Sequence, residues 1–165
     1  MHFSTKQQIW GLIGWLGITF IAAAVGAAAT VDAPSFYQAL NLPSWAPASS
    51  VFAPVWTLLY LMMGIAAWLV WRQAGFNNAR TALTLYIMQL IFNALWSWTF
   101  FAWHQGSFSF MVIVFLWLLV TATLYQFWKI NRSAGVLLMP YLLWLTYAGA
   151  LNLVVWQMNP SLLGN

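Results

Sequence analysis

Residues 43–60 read PSWAPASSVFAPVWTLLY. Three prolines, two tryptophans and a closing tyrosine stand where a polar stretch gives way to an apolar one. Pro54 falls where the first turn of an apolar helix is due. The first N–H groups of a helix have no partner inside it, so proline is tolerated there and marks a start. Pro43 and Pro47 stiffen the chain just before it and restrict Trp45. Phe52, Trp56 and Tyr60 then follow at steps of four, continued by Gly64, and so share one helix face. The stretch reads as a rigid loop carrying one indole, joined to a helix carrying another: the lid and wall of one site.

What lies on either side is a membrane protein. Of 165 residues only six are charged, while 64% are hydrophobic. A surface facing water carries about a quarter or more charged residues, so this chain cannot coat itself for water. Five apolar segments are long enough to cross a bilayer: 9–29, 51–71, 81–103, 107–128 and 135–158. The expected fold is an all-α integral membrane protein, a single bundle of five transmembrane helices spanning 1–165, with one longer loop at 30–50. The run AAAVGAAAT near residue 30 resembles a signal-peptidase site, but the apolar core before it is too long for a signal peptide. It reads as a retained first span.

The cations set an orientation. Lys6 precedes the first span, Arg72 and Arg80 bracket the loop between the second and third, and Lys129 and Arg132 lie between the fourth and fifth. The other loops and the C-terminus hold no lysine or arginine. By the positive-inside rule the N-terminus is cytoplasmic and the C-terminus outside, which puts the 30–50 loop and Asp32 on the outer side. Scattered single cations are a topology signal rather than a nucleic-acid patch. Trp10, Trp68, Trp71, Trp103 and Trp128, at span ends, read as an interfacial belt. Gly11, Gly14 and Gly17 read as places where helices approach closely.

Candidate functional residues are the polar and aromatic groups away from that belt. Gln89, Asn93 and Trp96 share a face of the third span; Tyr141, Trp144, Ala148 and Asn152 share one of the fifth. Taken alone, each stripe reads more readily as helix packing. Together with Trp56 and Tyr60 they converge on the outer half of the bundle. Flat rings with a few amides and hydroxyls are the makeup of a small-molecule pocket, and indole walls suit a large, flat, apolar guest. There is no cysteine. No acid lies inside a span, so a carboxylate proton relay has no candidate. His2 and His104 have no metal-site spacing, and neither a Ser–His–acid set nor a phosphate loop is present.

Four stretches carry a resemblance: FYQALNLPSWAP (36–47), FAPVWTLLYLMMGIAAWLVW (52–71), QLIFNALWSWTFF (89–101) and PYLLWLTYAGALNLVVWQMN (140–159). In this order they resemble the TspO/MBR family of tryptophan-rich sensory proteins and translocator proteins, the peripheral-type benzodiazepine receptor family, in its bacterial form. The resemblance implies a five-helix membrane protein that dimerises and binds porphyrins such as protoporphyrin IX beneath the loop joining the first two spans. No resident cofactor is implied; porphyrin is the ligand, and the bilayer and a second copy are the partners, with no nucleic acid. The implied ligand-binding residues are Trp45, Trp56, Tyr60, Asn93, Trp96, Trp144, Ala148 and Asn152, to which the stripe on the third span adds Gln89. The implied location is a bacterial inner membrane.

The departures narrow the expectation. Where animal members carry a sterol-type L-x-Y-x-x-x-R pattern, this chain has Leu153 and Gln157, which speaks against cholesterol there. Leu153 also replaces a tryptophan linked in some bacterial members to porphyrin breakdown. Residues 120–129, VTATLYQFWK, fit only a loose lipid pattern. With no histidine placed as an axial ligand, a metal-free porphyrin is the better guest. A sensor or carrier is the leading expectation. Light- and oxygen-dependent porphyrin degradation, and facilitated transport of an apolar guest, remain as alternatives.

Overall fold

The computed structural model describes residues 3–164. Within them the long helices are α1 (Thr5–Ala28), α3 (Phe52–Asn78), α4 (Arg80–Ser97), α5 (Gly106–Ile130) and α6 (Arg132–Met158); α2 (Ala33–Ala39) and α7 (Pro160–Leu163) are short. Counting the flanking turns Ser49–Val51 and Trp98–Ala102, five helical segments are long and apolar enough to cross a membrane. Their outer faces show large apolar side chains, such as Ile13 and Ile21 on α1 and Leu118 on α5. In hydrocarbon such faces need no cover, because lipid tails are as apolar as leucine.

The helices close a ring in the order α1, α3, α6, α5, α4, with α4 returning to α1. The expected proline start holds: α3 begins at Phe52 and carries Pro54 in its first turn. The second span continues in helix past the expected residue 71 to a bend at Gly75, and its polar end is bonded to protein. Gln73 Nε2 donates to the Ile130 carbonyl at 2.6 Å, and Asn131 Nδ2 donates to Gln73 Oε1 at 2.7 Å. The third span leaves α4 through a π turn, Trp98–Ala102, whose wider register repositions Phe100 and Phe101.

Small residues decide how close α1 comes. A Cβ on Gly64 would lie 2.7 Å from Leu16 Cδ2 and 3.3 Å from the Leu16 backbone, and one on Gly11 would enter the Trp71 ring. Gly26 makes the same approach toward Ser97 of α4. Gly14 and Gly17, expected at a helix contact, have open space around them. The three-residue glycine spacing drifts around a 3.6-residue helix, so only one of the three faces α3.

The interfacial belt also needs one correction. Trp10 and Trp103 are exposed, and Trp68 donates its N–H to the Gln8 carbonyl at 2.9 Å. Trp71 is only 8% exposed and stacks on Phe3 with ring centroids 4.3 Å apart. It closes the bundle floor instead of facing headgroups, because Gly11 leaves room for it.

Near its end α3 passes through Gly75 at φ 70°, ψ 177°. That region is open to glycine almost alone, at a cost of about 1–3 kcal/mol for other residues. Gly75→Ala is therefore expected to destabilise the protein by about that amount, read as a lower thermal unfolding midpoint in detergent. An unchanged midpoint would show that the bend relaxes freely.

Candidate functional site

The loop read as 30–50 is partly helical and is pinned to the bundle. α2 occupies its first half and a 3₁₀ turn, Ser49–Val51, its end. Asn159, just past α6, fastens Asn41: its Oδ1 accepts from the Asn41 N–H at 2.8 Å and its Nδ2 donates to the Asn41 carbonyl at 2.9 Å. Tyr37 Oη donates to the Pro47 carbonyl and Tyr147 Oη to the Trp45 carbonyl, each at 2.9 Å. Burial, with Tyr147 nearby, holds the Tyr37 phenol above its ordinary pKa, so it stays a neutral donor. All these ties hold the loop toward α6 or to itself.

Beneath α2 lies a cavity of about 570 Å³ between α1, α3 and the end of α4. Its aromatic walls include Phe20, Tyr37, Phe52, Trp56, Tyr60, Trp96 and Phe101. Ala24 and Ala27 of α1, Pro34 of α2, and Ser49, Ala53 and Thr57 at the start of α3 are its exposed rim. The cavity thus opens between α1 and α3, under α2. No charged side chain belongs to the lining.

The nine residues expected at the site divide into layers. Trp56, Tyr60 and Trp96 line the cavity. Asn93 and Asn152 stand behind them and hold them. Tyr60 Oη donates to Asn93 Oδ1 at 2.5 Å, and Asn93 Nδ2 donates to Tyr141 Oη at 2.8 Å. Trp96 Nε1 donates to Asn152 Oδ1 at 2.9 Å, and Asn152 Nδ2 reaches the Gly106 carbonyl at 3.4 Å. The Trp96 N–H is therefore committed away from the cavity, and its ring is held in place from behind. The amides orient walls rather than touch a guest.

The other four lie outside the lining. Gln89 is 1% exposed, with only a long contact from Nε2 to Met63 Sδ at 3.8 Å, and its Oε1 has no hydrogen-bond partner among the described residues. Ala148 is buried in the core. Trp144 sits behind Phe52, centroids 6.1 Å apart, and against Tyr147. Trp45 is 45% exposed, with its ring edge-on to Tyr147. It braces the loop against α6. Of the two histidines, His2 lies outside the described residues, and His104 stacks on Phe36 of α2 at 4.2 Å.

Sequence reading missed the contribution of α1 and α2. Phe20, Ala23 and Ala27 form one wall, and Tyr37 the roof. The signal was present in the alanine-rich end of the first span, whose small side chains leave the space that larger ones would fill.

The hydroxyls around the cavity are largely spent. Thr30 donates to the Ala27 carbonyl and Thr57 to the Ala53 carbonyl, each at 2.8 Å. The Trp56 indole N–H makes no hydrogen bond within the described residues. The site therefore offers ring faces, one indole donor, the Tyr60 oxygen as an acceptor and the Ser49 and Ser97 hydroxyls.

Comparison with known proteins agrees with this architecture. The model of the TspO/MBR family matches residues 15–157. The chain is 39% identical to a tryptophan-rich sensory protein of Cereibacter sphaeroides, over 87% of this chain and 91% of that one. It is 38% identical to Protein CrtK of Rhodobacter capsulatus, over 87% of this chain and 92% of that one. It is 35% identical to the human translocator protein, over 75% of each chain. A five-span bundle, the proline-led second span and a family match over residues 15–157 place the chain in the TspO/MBR family.

Proposed function

We propose that this protein binds a flat, apolar small molecule of the tetrapyrrole class, such as protoporphyrin IX, in the cavity under α2, and acts as a sensor or carrier in a bacterial inner membrane. The observation that carries the reading is the cavity itself. Its volume falls in the range of about 300–1,000 Å³ usual for small-molecule sites. Its walls are aromatic, and aromatic pairs gain from offset stacking beyond the area they bury. The absence of charge from its lining suits the apolar body of such a guest, with acidic substituents at the rim under α2. The names of the relatives, sensory and translocator proteins, are consistent with this role.

A titration of the purified protein with protoporphyrin IX, read by tryptophan fluorescence, tests it. Saturable quenching is expected. Trp56→Ala should weaken binding by about tenfold, from lost stacking and lost apolar contact. Trp10→Ala, on an exposed ring far from the cavity, should leave affinity unchanged. Quenching that never saturates, or that responds equally to both substitutions, would reject the reading.

A further inference from the structure

The end of the bundle opposite the cavity collects every cation of the chain. Lys6 begins α1, Arg72 lies near the end of α3, Arg80 begins α4, Lys129 lies near the end of α5, and Arg132 begins α6. The one acid, Asp32, belongs to the other end. All five cations are exposed, and none has an acidic partner within the described residues. Charge left unpaired on this scale asks for anions from outside the chain.

Two side chains are held at a particular level. The Arg72 guanidinium lies over the Trp68 ring at 4.5 Å, and Lys129 Nζ over the Tyr125 ring at 4.2 Å. In each pair the ring is one helical turn earlier, on the side of the apolar span. The heads are thus drawn back toward the hydrocarbon boundary instead of reaching into water. Cation–π contact supplies the hold. Trp68 is itself fixed by its bond to the Gln8 carbonyl. Gln73 then ties the end of α3 to Ile130 and Asn131. That tie sets the stretch of α3 that carries Arg72 beside the α5–α6 turn that carries Lys129 and Arg132.

We propose that this corner binds the phosphate headgroup of anionic phospholipid, with Arg72, Lys129 and Arg132 as the donors. Topology alone asks only that cations lie on one side. The ring-held heads and the Gln73 tie add a fixed place at headgroup depth. The proposal is independent of what occupies the cavity.

Native mass spectrometry of delipidated protein, offered equal dioleoyl phosphatidylglycerol and dioleoyl phosphatidylcholine, tests it. Preferential retention of the phosphatidylglycerol is expected. An Arg72→Gln, Arg132→Gln double variant should lose the preference, by about fivefold per cation removed. Lys6→Gln, which removes one charge rather than two and removes it on α1, should keep most of it. Both positions of the double variant are exposed, and thermal unfolding of each variant verifies folding. Equal retention of the two lipids, or a double variant no different from Lys6→Gln, would overturn the proposal. Displacement of the bound lipid by millimolar inorganic phosphate would also overturn it, in favour of a free-phosphate site.

Discussion

Replacing Asn159 with leucine is expected to free the loop between α1 and α3 and speed the release of a bound guest. Asn159 is 2% exposed, and its side chain pairs with both backbone groups of Asn41 while its Nδ2 also reaches the Val155 carbonyl at 2.8 Å. Leucine keeps the branched outline and removes all three bonds. A buried polar group left without a partner costs about 1–3 kcal/mol. If Asn41 finds water only by leaving its place, the loop opens more often by about 10- to 100-fold. The ties from Tyr37 and Tyr147 remain, so the loop is loosened rather than lost. Amide hydrogen exchange at 41–47 and the dissociation rate of protoporphyrin IX are the measurements. Both should rise together. Asn159→Asp retains the acceptor for the Asn41 N–H but turns its other oxygen on the Asn41 and Val155 carbonyls, and should loosen the loop at least as much as leucine. Unchanged exchange at Asn41 would show that the loop is held by its other contacts.

The second large effect is expected at Asn93. It is 1% exposed and joins Tyr60 of α3 to Tyr141 of α6 through the middle of the bundle. Asn93→Leu preserves shape but strands two buried hydroxyls. Hydrogen bonds between membrane helices average only about 0.6 kcal/mol, because the unfolded chain in the membrane finds other partners. A group sealed from all partners loses more, about 1–3 kcal/mol. Tyr141, 1% exposed, has no route to water, so the larger figure applies here. The expected result is a clear fall in the unfolding midpoint and weaker porphyrin binding as Tyr60 loses its orientation.

A sharper outcome follows from the same physics. Removing every polar member of a buried network is close to neutral, whereas removing one is not. The triple variant Tyr60→Phe, Asn93→Leu, Tyr141→Phe should therefore recover most of the lost stability, while the guest affinity stays low. If the triple variant is no more stable than Asn93→Leu, the loss comes from packing, not from stranded hydroxyls.

Much of this protein was legible in the chain because a membrane imposes one-dimensional rules. A span must be long, apolar and helical, so its presence shows in composition without any tertiary knowledge. Pro54 was readable as a start because the orphan N–H groups of a first turn are a local matter. The stripes on α3, α4 and α6 were readable because helical spacing fixes which side chains share a face. The spacing of Asn93 and Trp96 correctly put both inside the bundle. It did not say which of them would touch a guest.

That division was made by packing. Whether an amide faces a cavity or the back of a tryptophan depends on the rotation of each helix against its neighbours, and several rotations bury the same stripe. Here Asn152 took the Trp96 N–H and Asn93 took the Tyr60 hydroxyl, which turned both amides into supports. Gly11 was distinguished from Gly14 and Gly17 only by the approach of α3. Trp71 left the interface for the same reason. Trp45 turned toward Tyr147 because Asn159 and Tyr147 hold the loop over α6. The sequence by itself determined five membrane-crossing helices, the basic end and three of the aromatic walls, Trp56, Tyr60 and Trp96, since each follows from local composition or spacing. The tertiary structure alone decided where the cavity lies, that α1 and α2 complete it, and which polar groups serve its walls, because those depend on contacts between residues far apart in the chain.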